Sequence, residues 1–374
     1  MESIIKSIFD RETENNSWTN LRTKQNAIDK ELEEYQSKQA RIIVIGAGGA
    51  GSNTITRLTE MGIAGATTVA VNTDARHLLH STKAHKKILI GKELTRGLGA
   101  GGYPEIGKKA AEESKAELKE LLKGGDLVFI TCGLGGGTGT GSAPVIARLA
   151  KESGAIVIAT VTLPFKIEGA RIGKAEEGLM RLRKTADTVI VIENQRLLSI
   201  AGNMPLKDAF AMADNLIATM IKGISETISQ PSLVNLDYAD VRAVMKSGGV
   251  AAIGVGSSSS ENRAKESVQK ALNNKLLEVD YKGASGALIQ IIGGDDMRLD
   301  EINSIGESVS QYLDPEAQII WGARVLPNMN GKIEVITIIT GVKSPYILGQ
   351  IDERKVANEK RSALSNELGI DFLK

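Results

Sequence analysis

Residues 133–142, with the sequence GLGGGTGTGS, could bind an anion through the main chain. This stretch follows an apolar run at 127–132 and precedes a helical pattern at 145–150, which predicts a turn between a buried strand and a helix. Pro144 fits the first helical turn, where its missing N–H is no loss. Consecutive exposed N–H groups and the positive end of the helix favour a phosphate ligand. The alternative, a flexible glycine spacer, explains neither this position nor the interleaved threonines.

Two further glycine-rich loops, at 46–53 and 97–102, also follow predicted strands. In an open parallel sheet such loops meet at the carboxyl edge, and three of them suit a triphosphate. The spacing Gly46-x-Gly48-x-x-Gly51, with Asp74 at the next strand end, also matches the dinucleotide fingerprint. An NAD-dependent oxidoreductase therefore remains an alternative, although a dinucleotide needs only one such loop and the loop at 133–141 counts against it.

Several charged residues stand where they could take part in chemistry. Glu168 and Arg171 lie just beyond a predicted strand, and Arg171 could pair with phosphate or with Glu168. Asp214 interrupts the apolar stripe of the helical pattern at 206–229 and must be either exposed or bound to a donor. After this helix, Asp237 is a plausible N-cap, and the alternative is that Asp237 and Asp240 form a carboxylate pair that orients water.

The composition excludes several classes of protein. The chain has 374 residues, with 46 basic and 45 acidic side chains, and this balance argues against nucleic-acid binding. Its single cysteine, Cys132, excludes an intrachain disulfide, and we expect it to be a buried small hydrophobe. No stretch reaches the length of a membrane span, so we expect a cytoplasmic protein without direct membrane insertion. His77, His80 and His85 have no usual metal-ligand spacing and are predicted at the surface.

The alternation of predicted strands and helices indicates an α/β protein with a Rossmann-like parallel sheet, a long central helix and a second, smaller α/β domain. We expect a helix at 26–39 and an apolar cluster at the end of a polar tail. The expected divisions are an N-terminal helical extension (1–40), a nucleotide-binding domain (41–205), the central helix (206–230), a C-terminal α/β domain that begins with the acidic loop (231–342) and the tail (343–374).

The loops at 46–53, 72–74, 97–102, 135–141 and 235–240 occur in an order and at distances that resemble the FtsZ branch of the tubulin superfamily. The resemblance covers about residues 41–342 and implies the tubulin/FtsZ fold. Phe165 and the ending at 369–374 are more similar to FtsZ than to tubulin, and the N-terminal extension and the ending resemble archaeal members. In one respect the sequence departs from the family: Arg171 follows Glu168 by three residues, where the family usually has four.

The resemblance implies that the chain binds GTP and GDP. Asn194 and Asp214 would then read guanine, Phe210 would lie against the base, and Gly101 and Gly102 would close around the γ-phosphate. The full set of nucleotide-binding residues implied by the resemblance is Gly48, Gly49, Ala50, Gly51, Ser52, Asn53, Asp74, Gly101, Gly102, Gly135, Gly136, Gly137, Thr138, Gly139, Thr140, Glu168, Arg171, Asn194, Phe210 and Asp214.

The resemblance also implies catalysis between subunits, since Asn235, Asp237 and Asp240 would serve the nucleotide of a neighbouring copy in a head-to-tail filament of the midcell division ring. Mg²⁺ is the expected cation, with K⁺ as a second candidate. The segment from Gly369 to Lys374 would dock a membrane-anchoring adaptor similar to SepF. A scaffold filament with slow GTP turnover remains an alternative.

Overall fold

The computed structural model describes residues 40–342, except residue 231 and residues 247–248 and 274–278. The helix predicted at 26–39 and the tail at 343–374 lie outside the described residues. The described chain forms one ten-stranded sheet. Its strands are β1 (Ile42–Ala47), β2 (Ala66–Asn72), β3 (Lys86–Leu89), β4 (Leu127–Gly133), β5 (Ile156–Leu163), β6 (Thr188–Glu193), β7 (Gly249–Ser258), β8 (Ala284–Gly293), β9 (Leu313–Val325) and β10 (Ile333–Thr340).

Helices connect most of these strands, as the alternating sequence pattern predicts. They are α1 (Gly48–Met61), α2 (Lys92–Thr95), α3 (Pro104–Glu113), α4 (Lys115–Leu122), α5 (Thr138–Glu152), α6 (Ala170–Thr185), α7 (Asn194–Ala201), α8 (Leu206–Ser229), α9 (Tyr238–Lys246), α10 (Arg263–Leu272) and α11 (Leu299–Ser310). Among the described residues, none of the helices is both long enough and apolar enough to cross a membrane.

The strand order is β3-β2-β1-β4-β5-β6-β7-β10-β8-β9. Strands β1 to β7 pair in parallel, β10 is antiparallel to both β7 and β8, and β9 is parallel to β8. Every residue of β1 is buried, because helices cover both faces of a parallel sheet. The loops that follow β1, β2, β4 and β5 therefore open at a single edge, where the sequence predicted a ligand site.

Most predicted elements are confirmed, but Pro144 is not in a first helical turn. Helix α5 begins at Thr138, so part of the glycine–threonine run is helical and Pro144 lies inside the helix. The glycines suggested a later start because they disfavour helix. Close packing explains their presence: a Cβ on Gly141 would overlap the carbonyl oxygen of Pro104 in α3. Similarly, α1 begins at Gly48, inside the glycine-rich loop predicted at 46–53. Ser114 separates α3 from α4.

The central helix α8 spans the 24 residues predicted for it, Leu206–Ser229. Its polar side chains fasten it to neighbouring elements. The ammonium of Lys222 donates to the carbonyl oxygens of Met61 (3.0 Å) and Gly62 (2.6 Å), at the end of α1. One turn later on the same face of α8, Glu226 accepts a hydrogen bond from Arg324 of β9 at 2.6 Å. Helix α8 thus joins the nucleotide half of the sheet to β9.

Candidate nucleotide site and candidate catalytic loop

The N-termini of α1 and α5 meet at the carboxyl edge of the sheet. Gly48, with φ of 73°, approaches α5 so closely that a Cβ on it would lie 2.8 Å from the amide nitrogen of Gly139. Neither helix has an acidic residue in its first turn. The free amides and the positive ends of both helices therefore face the same space, which is an arrangement that binds phosphate.

The glycines of these loops have two different roles. Gly139 fits between main chains, since a Cβ on it would lie 3.0 Å from the carbonyl oxygens of both Ala47 and Gly133. By contrast, a Cβ on Gly49 or Gly136 would meet no atom within 4 Å. The first kind allows the two helices to approach each other, and the second leaves open space beside the exposed main chain.

The glycine-rich loop at 97–102 packs against the loop at 133–142. The amide of Tyr103 donates to the carbonyl of Ala100 at 3.0 Å, and φ is positive at Gly101 (59°) and Gly102 (77°), as in a type I′ turn. A Cβ on Gly137 would lie 2.8 Å from the Cβ of Ala100. The hydrogen bond of this turn does not involve the amides of Gly101 and Gly102, which remain able to meet a ligand.

Residues at the end of β2 connect the same loops. The hydroxyls of Thr73 and Thr138 are 2.7 Å apart, and the amide of Gly99 donates to the carbonyl of Thr73 at 3.1 Å. Asp74, which the sequence assigned to the ligand, accepts a hydrogen bond from the amide of His77 at 2.9 Å. Its carboxylate therefore holds the turn after β2.

Beside the phosphate loops lies a cavity of about 260 Å³ between α1 and α8. It contains five of the predicted nucleotide-binding residues, namely Ala50, Asn53, Asn194, Phe210 and Asp214. It also contains residues that the sequence did not indicate, namely Thr54, Thr131, Cys132, Thr162 and Ala213. The cavity adjoins the amide-rich loops through α1, so one ligand can occupy both.

Asp214 is half-buried and bound to a donor, which settles the question left open by its place in an apolar stripe. The hydroxyl of Thr54 donates to its Oδ1 at 2.6 Å. Burial raises the pKa of Asp214 above its ordinary value, and the hydrogen bond from Thr54 and the charge of Arg57 oppose this shift. A half-buried carboxylate with unmade hydrogen bonds carries a desolvation penalty, and a bound base with N–H groups would supply the missing donors.

Aromatic contacts connect the cavity to the loop after β5. The rings of Phe165 and Phe210 meet edge to face, with centroids 5.8 Å apart. The amide of Phe165 donates to Glu168 Oε1 at 2.8 Å, and Arg171 Nη1 donates to Glu168 Oε2 at 2.7 Å. Of the two partners considered for Arg171, the structure shows Glu168. Neither residue of this pair lines the cavity.

Cys132 is buried, as predicted, and burial raises the pKa of its thiol to about 12. It is therefore a neutral part of the cavity wall. His80 and His85 are exposed and His77 is half-buried; His85 accepts a hydrogen bond from the Thr68 amide at 3.0 Å through its Nδ1. Within the described ranges, no group of three or more His, Cys, Asp or Glu side chains could hold a metal ion.

The acidic loop lies after the other end of α8. The amide and carbonyl of Val234 pair with Ala323 of β9 at 3.1 Å, and Leu236 is buried. Asp237 immediately precedes α9 and its carbonyl accepts the amide of Asp240, while its side chain is exposed. The side chain of Asn235 accepts a hydrogen bond from the amide of Ser232 at 2.7 Å.

This loop and the cavity are separate in one copy of the chain. At 1.5 Å per residue, the part of α8 from Asp214 to Ser229 alone measures about 22 Å. Asn235, Asp237 and Asp240 are absent from the described lining of the cavity. The structure thus brings the base-cavity residues together and gathers the phosphate loops beside them, but it leaves the three predicted catalytic residues at a distance.

Comparison with known proteins identifies the family. The model of the Tubulin/FtsZ family GTPase domain matches residues 41–202, and that of the FtsZ family C-terminal domain matches residues 249–343. Cell division protein FtsZ 2 of Methanocaldococcus jannaschii is 57% identical over 344 residues, which cover 90% of each chain. Cell division protein FtsZ 1 of Pyrococcus abyssi is 52% identical over 363 residues, covering 96% of this chain and 97% of that one.

This chain belongs to the FtsZ family. The solved structure of an empty FtsZ dimer from M. jannaschii has a TM-score of 0.79 and 52% identity to it, covering 86% of this chain and 98% of that chain. The predicted tubulin/FtsZ fold and GTPase activity are confirmed. An NAD-dependent oxidoreductase is not favoured, because the Gly46–Gly48–Gly51 fingerprint lies inside the matched GTPase domain.

Proposed function

We propose that this FtsZ-family protein is a self-assembling GTPase of cell division whose active site is shared between successive subunits. The observation that carries this proposal is the separation within one chain: amide-rich loops and a base-sized cavity at one end of α8, and the exposed acid Asp237 beyond its other end. Asp214 is the one acidic residue in the described cavity lining, and Thr54 already engages it.

GTP would lie across the edge of the sheet. The base would enter the cavity, where the Asp214 carboxylate can accept from the N1–H and the exocyclic amine of guanine, with Asn194 beside it and Phe210 against the ring. Adenine presents an acceptor in place of the N1–H, so it would leave the buried carboxylate unpaired. A mismatch of this kind discriminates by up to about 10⁴.

The phosphates would follow the two helix N-termini. Amides from Gly49 to Asn53 and from Gly137 to Gly139 would hold the α- and β-phosphates, and those of Gly101 and Gly102 would face the γ-phosphate. In hydrolysis, water attacks the γ-phosphorus and the bond to the β,γ-bridging oxygen breaks, giving GDP and phosphate. This chemistry needs a positioned water and compensated charge more than it needs a covalent partner.

Asp237 and Asp240 of the adjacent subunit would orient that water and accept its proton. In this arrangement Asn235 keeps the loop in shape, because its side chain already accepts from the Ser232 amide. The bridge between Val234 and Ala323 anchors the same loop to β9. The neighbour would thus deliver both carboxylates on a fixed support.

Exposed apolar side chains at both ends of the molecule support a head-to-tail contact. Near the nucleotide edge, Leu98 is 84% exposed and Ile167 is 94% exposed. Near the acidic loop, Leu233 is 69% exposed. Because the two surfaces differ, the contact between them would be head-to-tail, and such a contact produces an open filament when the rotation between subunits does not close a ring.

Mg²⁺ would accompany the nucleotide and compensate the charge of the triphosphate beside the incoming carboxylates. Since no cluster of three or more metal-ligating side chains occurs among the described residues, its ligands would come mainly from phosphate and water, with Asp237 and Asp240 of the neighbour close by. K⁺ is a second candidate for the same charge.

The site predicts a concentration threshold. Phosphate release and light scattering should be followed together after GTP is added at increasing protein concentrations. The rate of phosphate release should be negligible below the threshold and should rise linearly with protein concentration above it. A rate per subunit that is independent of concentration would overturn the shared site. Scattering without phosphate release would favour the alternative, a scaffold filament with slow turnover.

The proposal places the protein in the cytoplasm at the division ring, attached to the membrane by a SepF-like adaptor that binds the segment from Gly369 to Lys374. This segment lies outside the described residues. Its deletion should leave GTP turnover unchanged and abolish capture by the purified adaptor in a pull-down. Unchanged capture would show that the segment is not the docking peptide.

A further inference from the structure

Lys174 of α6 makes two contacts with the turn at 100–103, which carries the amides proposed to face the γ-phosphate and is called the γ-phosphate loop below. The function proposed above does not use these two contacts. Its ammonium donates to the carbonyl oxygen of Gly102 at 2.8 Å and lies 5.4 Å from the ring centroid of Tyr103. Both partners belong to the type I′ turn from Ala100 to Tyr103. Lys174 therefore binds this turn from outside, on the peptide unit that follows Gly102.

The hydrogen bond fixes the direction in which that turn faces. With its carbonyl held by Lys174, the peptide unit between Gly102 and Tyr103 directs its N–H towards the Ala100 carbonyl, as observed at 3.0 Å. Two glycines at positive φ have many other conformations available, since neither has a Cβ to restrict it. A charged donor on the carbonyl restricts them to one.

Helix α6 also contacts the neighbouring parts of the site. Arg181 donates to Glu105 of α3 at 2.7 Å, directly after the turn. At the start of α6, a Cβ on Gly135 would lie 2.9 Å from the carbonyl oxygen of Arg171. One helix thus supports the γ-phosphate loop through Lys174 and lies against the glycine loop of α5 through Arg171.

We propose that Lys174 is a positioning residue that presents the amides of Gly101 and Gly102 to the γ-phosphate and so sets the preference for GTP over GDP. The inference rests on the proposed function. Because GDP lacks the γ-phosphate, its binding does not depend on these amides. The two nucleotides consequently report different parts of the site.

The test measures GTP and GDP affinities by calorimetry, with a non-hydrolysable GTP analogue and protein below the assembly threshold. In Lys174→Met, which keeps the apolar stem, the ratio of analogue to GDP affinity should fall about five- to tenfold, the size expected for one hydrogen bond from a charged group at a half-exposed site. GDP affinity should stay within about twofold. Lys174→Arg retains donors and charge and should recover most of the ratio.

Lys184→Met is the matched control, since it removes an exposed lysine from the last turn of the same helix. It should leave the ratio unchanged, which separates the contact with Gly102 from a general loss of charge. Hydrogen exchange of the peptide covering residues 96–106, in nucleotide-free protein, provides a second readout. Exchange should be faster in Lys174→Met and unchanged in Lys184→Met.

The outcomes separate this inference from the proposed function. If the wild-type protein binds neither nucleotide, the proposed function fails. If the wild type binds both and Lys174→Met retains the wild-type ratio and exchange rate, Lys174 does not position the loop. An equal loss of affinity for both nucleotides would show a general electrostatic effect and would also overturn the inference.

Discussion

At the scale of the residue, the hydrogen bond between Thr54 and Asp214 says most about specificity. Burial makes the carboxylate of Asp214 costly to ionise, yet this residue lies in the cavity wall. Among the described residues, the hydroxyl of Thr54 donates a hydrogen bond to it. Such a group is poorly satisfied without a ligand and well satisfied by one that supplies N–H donors. The predictions for this residue concern base selectivity and stability.

Asp214→Asn should change the preferred base from guanine to xanthine. The amide of asparagine can donate to the 2-oxo group of xanthine, but it cannot accept both N–H groups that guanine presents. We expect the ratio of GTP to xanthosine triphosphate affinity to fall by about 10² or more, measured by competition binding. Asp208→Asn, at an exposed carboxylate on the same helix, is the control. An unchanged ratio would remove Asp214 from base recognition.

The same variant should stabilise the nucleotide-free protein at neutral pH. Because the folded-state pKa of Asp214 is raised, the group favours folding when protonated, and this contribution is lost as pH rises through the raised value. Asparagine has no such loss. Its advantage in the free energy of unfolding should be present at pH 7 and vanish below about pH 4, the ordinary range of aspartate. Urea unfolding from pH 8 downwards measures it, and an advantage independent of pH would contradict the mechanism.

At the scale of the element, glycines in two helices differ in whether close packing requires them. In α5, a Cβ on Gly141 would overlap the main chain of α3, whereas in α6 a Cβ on Gly173 would meet no atom within 4 Å. Replacing glycine by alanine should therefore destabilise the protein in α5 and stabilise it in α6. It also shows why α5 carries residues that lower its intrinsic helix propensity.

Gly141→Ala should lower the free energy of unfolding by about 1–3 kcal/mol, because the added methyl separates α5 from α3. Gly173→Ala should raise it by about 0.5–1 kcal/mol through the higher helix propensity of alanine. Urea unfolding of both variants, without nucleotide, provides the comparison. Equal effects in the two helices would show that packing against α3 does not explain the glycine in α5.

The elements could be predicted from the sequence to the extent that local pattern determines them. The apolar repeat fixed both ends of α8, and the glycine loops indicated the ligand edge. The start of α5 could not be predicted in this way, since packing against α3 overrides the low propensity of its glycines. The contacts of Thr54 with Asp214 and of Lys174 with Gly102 join residues 160 and 72 positions apart, and no local signal marks either.

At the scale of the whole molecule, the proposed shared site would require a polar filament, because its two halves lie beyond opposite ends of α8. Asp240→Ala would retain the nucleotide site, and Asp214→Ala would retain the acidic loop. Each variant supplies the half that the other lacks. Catalysis between subunits therefore predicts a result for mixtures that catalysis within one subunit does not.

Asp240→Ala alone should bind GTP and assemble, with turnover reduced by about 10²- to 10⁴-fold. In an equimolar mixture with Asp214→Ala, turnover should rise above the sum of the two variants, up to about one quarter of wild type, since one random interface in four is complete. Phosphate release is the measurement. A chain carrying both substitutions should show no recovery, and a mixture no faster than its parts would place catalysis within one subunit.

The length of α8 has a consequence for the two tips of a filament. If the site is shared as proposed, a row of subunits would contain one fewer complete hydrolysis centre than it has bound nucleotides, because the terminal subunit with an uncovered sheet edge would receive no carboxylates. That tip would keep its GTP whatever the age of the row behind it, and its nucleotide would be free to exchange. At the opposite tip, Asp237 and Asp240 of the last subunit would face no nucleotide, and the nucleotide between that subunit and its neighbour would be GDP. Growth and loss would therefore differ between the tips even when every subunit is chemically identical.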